Sequence, residues 1–255
     1  MKLFNKKKTS AGLSIEGKEF TFLALDSAEG ECKVSDNVKG VIPDRFIAGA
    51  DAFGDNGNYL DSVFGWLAME LPQLSEPVNF ALPAGESLLR VVDIPGLTLE
   101  EAKQGFRFES DKYFPFRDNE GVFDLAEIEY PGLDGISEKR FLATAARRIL
   151  IENIERAAES HGITLASIEP AQIALERAAT SNISADNSFD FVYAGKTRSM
   201  LILSWNNNGI FYRNNSVGIN VKAEKKPGIV LSKEENEMQE DEEYSEALFA
   251  FARGI

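Results

Sequence analysis

The sequence predicts an α/β fold, and three observations carry that prediction. Strand-type segments around a tight turn open the chain, helical and strand periodicities then alternate, and a three-strand pattern returns near residue 190. In residues 20–25, Phe20, Phe22 and Ala24 face one way and Thr21, Leu23 and Leu25 the other. Apolar groups on both faces fit a sheet covered on both sides, as in α/β proteins. The chain has 255 residues, 44% of them apolar, enough to bury a sizeable core but short for two full domains. One large domain with an insertion or second lobe is therefore expected.

Each element has its own local cause. Residues 11–15 and 20–25 flank Glu16-Gly17-Lys18 as a hairpin, and a third strand follows at about 33–42. Leu60, Val63, Phe64, Leu67 and Leu71 form one stripe at helical spacing over 58–71, with Asn58 as the expected N-cap and Pro72 as the stop. Residues 78–82 and 88–94 read as strands. Thr98-Leu99-Glu100-Glu101 spells a capping box, in which the Thr hydroxyl and the Glu carboxylate satisfy each other's backbone N–H groups. The helix it opens runs to about Tyr113, with Leu99, Ala102, Phe106 and Tyr113 on one face. Phe108 lies about 200° from Phe106 and off that stripe. Pro115 ends the helix.

Residues 123–130 alternate as a half-buried strand, and 141–146 form another. A helix over 147–161 turns Ile149, Leu150, Ile154, Ala157 and Ala158 inward and is closed by Gly162. A short strand at 163–168 and a helix from 170 to about 179 follow. After a polar linker at 180–188 come strands at 189–194, 199–205 and 209–213, the last two joined by Asn206-Asn207-Asn208-Gly209.

Charge and composition exclude several functions. Forty-one acids against 27 bases give a net charge of −14, which repels phosphate backbones, so nucleic acid is not an expected partner. One cysteine and one histidine cannot build a disulfide framework or a zinc cluster. His161 falls in the last turn of a predicted helix, where a cation suits the dipole. Neighbouring acids such as Glu100 and Glu101 suit the positive end of their helix. No apolar run reaches the roughly 18–20 residues needed to span a bilayer. Residues 1–10 are a basic segment with no apolar stretch behind it, so a cytosolic protein is expected. Residues 233–246 carry eight acids and one lysine, half of the net charge, and the stretch 223–255 is expected to be a disordered, solvating tail. Residues 247–252 turn apolar again and suit docking as a short helix on the body or on a partner.

The element order, β-β-β-α-β, an α/β insertion, then β-β-β, resembles the duplicated actin-like (ribonuclease H-like) fold. It implies a first lobe at 11–95, an inserted α/β subdomain at 96–168, and at 169–222 a return helix with the remnant of a truncated second lobe. The middle is similar to the PilM family, actin-like cytoplasmic proteins of type IV pilus assembly. The residues that carry the likeness are Arg90, Ile94-Pro95, the boxed helix with Phe108-Glu109, Lys112-Tyr113-Phe114-Pro115-Phe116, Phe123-Asp124, residues 141–147 and His161-Gly162-Ile163-Thr164. Related folds occur in the type II secretion L protein and in FtsA. The resemblance implies a cytoplasmic adaptor at the inner face of the inner membrane, associated with the membrane through a PilN-like partner. A peptide of that partner would lie in a groove, with Arg90, Phe108, Glu109, Tyr113 and Phe116 as the candidate contacts. Residues 113–116 also read as core anchors, three aromatics around a proline at a helix end.

The phosphate loops depart from the family. In actin-like ATPases an Asp-x-Gly hairpin holds the phosphates and the magnesium, because backbone N–H groups need close approach and a carboxylate binds the metal or its waters. Here the first loop reads Ser14-Ile15-Glu16, with Gly17 displaced by one. The second reads Tyr193-Ala194-Gly195-Lys196-Thr197, with Tyr at the Asp position. A P-loop is excluded, since Asp190 stands where its first glycine is required. No metal site and no Mg-ATP are expected, and the reading is an adaptor without ATP hydrolysis. The alternatives are a working actin-like ATPase of the same machinery and an L-type component of type II secretion.

Overall fold

The computed structural model describes residues 8–28, 31–47, 53, 57–117, 119–132, 136–180, 188–195 and 198–218. The expectations for residues 1–7 of the basic segment, the linker, Lys196 and Thr197, and the acidic tail lie outside the described residues, while residues 8–10 of that segment belong to the first strand. The first strands are β1 (Lys8–Glu16), β2 (Glu19–Ala28) and β3 (Glu31–Val41), followed by helix α1 (Asn58–Glu70) and strand β4 (Val78–Leu82). Then come β5 (Ser87–Val92), α2 (Leu99–Glu109), β6 (Gly121–Pro131), β7 (Ser137–Arg147), α3 (Arg148–Ser160) and β8 (Leu165–Pro170). The chain continues through α4 (Ala171–Thr180), β9 (Asp190–Ala194), β10 (Ser199–Trp205) and β11 (Asn208–Asn215).

These strands form three sheets, ordered β3-β2-β1-β4-β8, β5-β7-β6 and β11-β10-β9. In the first, β1 pairs antiparallel with β2 and parallel with β4, and β4 pairs parallel with β8. One face carries Leu13, Ile15, Phe20, Phe22 and Phe80, buried against α1 and α3. Phe64 of α1 meets Phe80 at 5.7 Å between centroids, and Trp66 meets Phe20 edge-on at 5.6 Å. The helices approach closely through Gly65, where a Cβ would stand 2.8 Å from the His161 ring. His161 itself lies 3.1 Å from Asp61 Oδ1, tying the end of α3 to α1.

Pairing corrects two boundaries. The strand expected at 88–94 belongs to the second sheet, because β5 pairs with β7 and has no bond to β4. At the other end, β8 returns to β4 and α3 packs on α1. The insertion therefore spans residues 87–147 and not 96–168. Sequence periodicity shows that a strand exists but not which neighbour it chooses. Three local expectations also change. Gly57 (φ +68°), not Asn58, caps α1, and Asn58 is its first helical residue. Helix α2 ends at Glu109 and tightens into a 3₁₀ turn over Ser110–Lys112. Ile149 is exposed, while Leu150 and Asn153 take the inward positions of α3.

Other local readings hold. Thr98 and Glu101 form the capping box, with Thr98 N–H donating to Glu101 Oε2 at 2.9 Å. Gly162 (φ +71°) closes α3, its N–H donating to Glu159 O and that of Ile163 to Ala158 O, so the last carbonyls are satisfied. Asn206 and Asn207 both have positive φ and make a two-residue turn between β10 and β11.

Candidate functional site

The far face of the first sheet is the floor of a cleft. By strand alternation it carries Gly12, Ser14, Thr21, Leu23, Asn79 and Ala81, mostly small or neutral groups. Helix α4 and the β9–β10 hairpin close the other side, leaving a cavity of about 650 Å³. Ser14, Glu16 and Gly17 from the first hairpin and Tyr193 from the second line this one cavity. Gly195 is buried at the second turn, and Thr197 lies outside the described residues. Two loops about 180 residues apart in sequence are thus brought to one place.

Each loop has a structural cause. Gly17 (φ +58°) turns the first hairpin, and its carbonyl accepts the Tyr59 hydroxyl at 3.1 Å. Burial raises the Tyr59 pKa, keeping that hydroxyl a donor. Gly195 donates to Arg198 O at 2.9 Å, and a Cβ there would stand 2.9 Å from that oxygen and from the Tyr193 ring. Its glycine is explained by this tight turn.

Charge in the cleft is sparse and largely paired. Glu86 meets Arg147 at 3.0 Å, and Arg147 also donates to the Phe53 carbonyl at 2.5 Å, closing the rim. Glu169 meets Arg177 at 2.5 Å. Arg198 makes no ion pair with a described residue, and its guanidinium lies over Gly85, where a Cβ would be 1.6 Å from Nη1. Sequence reading missed Arg198, Glu86 and Asn79, since no local pattern marks them. Asn79 holds the floor, donating to Ala11 O at 2.9 Å and accepting from Ser167 Oγ at 2.8 Å.

Ser14 and Tyr193 are the neutral side chains of the two loops on this cavity, and among the described residues no group of three His, Cys, Asp or Glu is placed to hold a metal. Among the described lining residues Arg198 is the one cation, and Glu16 places a negative charge beside the first loop. A tri- or tetra-anion would meet repulsion there without a metal to offset it.

The inserted subdomain presents the other candidate surface. Phe106 is buried at the centre of an aromatic cluster, stacked on Tyr113 (5.5 Å, 15°) and edge-on to Phe114 and Phe123. Phe116 packs edge-on against Phe123 at 6.2 Å. Tyr113 and Phe116 are therefore half-buried and committed to packing. Phe108, two residues from Phe106, is 88% exposed. Glu109 pairs with Lys112 at 3.0 Å. Arg90 is exposed on edge strand β5, donating to the Leu89 carbonyl at 3.1 Å. None of these five lines the small cavity of about 290 Å³ between α2 and β6, which Lys103, Phe106, Phe123 and Asp124 enclose. Lys103 closes it with an ion pair to Asp124 at 2.8 Å that raises the lysine's pKa. Among the described residues, no helix is long and apolar enough to cross a membrane.

A first lobe with a returning parallel strand, an insertion between β4 and β8, and a second three-stranded sheet across a cleft define the actin-like fold. The chain is similar to a structure of the PilM–PilN type IV pilus biogenesis complex, with 19% identity and a TM-score of 0.65, covering 82% of this chain and 62% of that one. It is also similar to the cytoplasmic domain of EpsL, an inner-membrane component of the type II secretion system of Vibrio cholerae, with 11% identity and a TM-score of 0.53, covering 80% and 70%. The chain thus spans less than two thirds of the first of these. No family model and no curated protein matches the sequence.

Proposed function

We propose that the protein is a non-hydrolysing adaptor of type IV pilus assembly, acting at the inner face of the inner membrane and binding a PilN-like membrane protein through its inserted subdomain. The observation that carries this reading is Phe108, a large apolar side chain held in solvent on a helix that the aromatic cluster beneath it keeps rigid. An extended peptide would add backbone hydrogen bonds at a sheet edge and set apolar side chains against such an anchor. Edge strand β5, with Arg90, offers that edge. The similarity of fold to the PilM–PilN complex supports the kind of machinery, and the donor set of the cleft supports the absence of hydrolysis.

The likeness to the EpsL domain favours a second reading, a component of type II secretion. Titration of the full chain with labelled N-terminal peptides from a PilN-like protein and from its type II secretion counterpart separates the two. Binding to the first, weakened about tenfold or more by Phe108→Ala, is expected. Failure of the wild type to bind either peptide, or equal binding by the variant, sinks the groove. Because Phe108 is exposed, the variant keeps its stability within about 0.5 kcal/mol, so lost binding is not lost fold.

A further inference from the structure

Helix α2 carries a glycine that its own packing does not explain. Gly105 is exposed in the middle of the helix, and a Cβ built there would meet no described atom within 4 Å. Glycine is a poor helix former beside alanine, because it has more backbone freedom to lose. Gly65 of α1 has a reason to be glycine, since a Cβ there would stand 2.8 Å from the His161 ring. Gly105 has no such neighbour among the described residues. A bare position on an exposed helix face leaves room for a main chain from outside to come close.

Helical phase places that bare position. At 100° per residue Gly105 lies about 60° from Phe108, which is 88% exposed, and about 160° from Lys103. Lys103 is held to Asp124 of β6 at 2.8 Å, so Gly105 is on the flank of α2 turned away from β6. Strand β6 is one edge of the inserted sheet and β5 is the other. On β5, Leu88 and Val92 pack into the cluster of Ala102 and Phe106, and Arg90 stands between them on that same face. Arg90 is exposed and donates to the Leu89 carbonyl of its own strand, while the nearby Asp93 is taken by Arg140 at 3.7 Å. The β5 edge thus combines unpaired backbone groups, a guanidinium without an ion pair to a described residue, and a helix flank without a side chain. The occupant that fits is extended: its main chain pairs with the strand, an acceptor meets Arg90, and an apolar side chain rests on Phe108.

We infer that Gly105 is the point of close approach for an extended partner segment lying along β5, its main chain passing over the bare flank of α2 between Arg90 and Phe108. The inference rests on the partner reading above and adds to it the residue that makes room for the segment and the extended form that the segment takes.

Substitutions that help the fold and hinder the partner test it. In the full chain Gly105→Ala should melt about 2–4 °C higher than wild type, because the new Cβ meets nothing and alanine favours the helix. The same variant should bind the labelled N-terminal peptide of a PilN-like protein about tenfold more weakly. Gly105→Leu should melt no lower than wild type and bind about a hundredfold more weakly, since the larger side chain fills the approach. Wild-type affinity in both glycine variants, with binding still weakened by Phe108→Ala, overturns the inference and leaves the partner reading in place. Absence of binding by the wild type overturns both. A lower melting point in Gly105→Ala overturns the inference by showing that the fold itself requires the glycine. A helical far-ultraviolet signal gained by the peptide on binding also overturns it, by making the occupant a helix.

Discussion

The two lobes meet at one cleft but are built to different depths. In the first, five strands lie on two helices, and a continuous core runs from Leu13 and Phe22 through Phe64 and Phe80 to Leu150 and Ile154. In the second, three strands rest on α4 and on β5 and β6 of the inserted sheet, where Tyr212 packs against Leu89, Ile128 and Leu142, and Ile202 is buried. The hairpins follow the same contrast. The first is locked by Tyr59 from α1, while the second is closed by its own Gly195–Arg198 bond. A cleft that binds a highly charged ligand needs both walls held rigid and both loops charged for the task. Here one wall is a five-stranded sheet on two helices and the other a three-stranded sheet, and the loops carry Ser14 and Tyr193.

The largest expected effect breaks the thick wall. Phe80→Ala removes a fully buried ring from between α1 and the first sheet and should cost about 3–5 kcal/mol by urea denaturation. Ile202→Ala, also fully buried, should cost nearer about 2 kcal/mol, because a sheet with one open face relaxes into the cavity more readily. Exchange should separate them further: Ile202→Ala loosens 190–215 and leaves 78–82 protected. Equal costs with global loosening in both would make the two lobes one cooperative layer and remove the contrast.

Legibility in the sequence follows the range of the interactions. The capping box at Thr98, the Gly162 stop and the Asn206-Asn207 turn are decided within a few residues, and local chemistry was enough to place them. The phase of Phe108 against Phe106 was likewise legible, because helical geometry fixes it. The partner of β5 was not, since residues 87–92 read equally well beside β4 or beside β7, and periodicity alone does not choose between them. Apolar groups on both faces of β2 suggested a sheet fully covered, yet Leu23 looks into the cleft. Of the cleft itself, the two hairpins could be named from the sequence. Arg198 could not, because its place depends on the missing side chain of Gly85, more than 100 residues away.

A smaller effect probes how the thin wall is fastened. Tyr212 of β11 donates to Glu176 of α4, whose other oxygen accepts from Gly209 N–H at 2.7 Å. Burial, and then the negative charge of Glu176, push the Tyr212 pKa well above its usual value near 10. A group whose folded pKa is raised contributes stability that is fully present below its unfolded pKa and is lost as pH rises above it. Stability should therefore fall as pH climbs above about 10. Tyr212→Phe should cost about 1–2 kcal/mol at neutral pH, since Glu176 keeps its backbone donor. The variant should also flatten part of the alkaline decline, the rest belonging to Tyr59, whose pKa is raised by burial as well. An alkaline slope identical to wild type would show that the β11–α4 contact opens before Tyr212 ionises.

The smallest expected effect is the one that most sharpens the comparison of the two hairpins. Mg-ATP at 100 times its dissociation constant would stabilise a binding protein by about 2.7 kcal/mol, a thermal shift of several degrees. For this chain the expected shift in a cooperative melt is under about 1 °C, because Ser14 and Tyr193 offer no metal-side carboxylate and Glu16 opposes the phosphates. A clear upward shift would mean that the backbone of 14–17 and the guanidinium of Arg198 bind nucleotide without the usual carboxylates. Gly85→Ala would then decide the matter. A Cβ at that position displaces the Arg198 guanidinium, the far end of a flexible side chain, at little cost to the fold. Loss of the shift in that variant would assign nucleotide binding to Arg198 and make hydrolysis the next quantity to measure. Its persistence would trace the binding to the first hairpin alone, making the thick wall sufficient without the thin one.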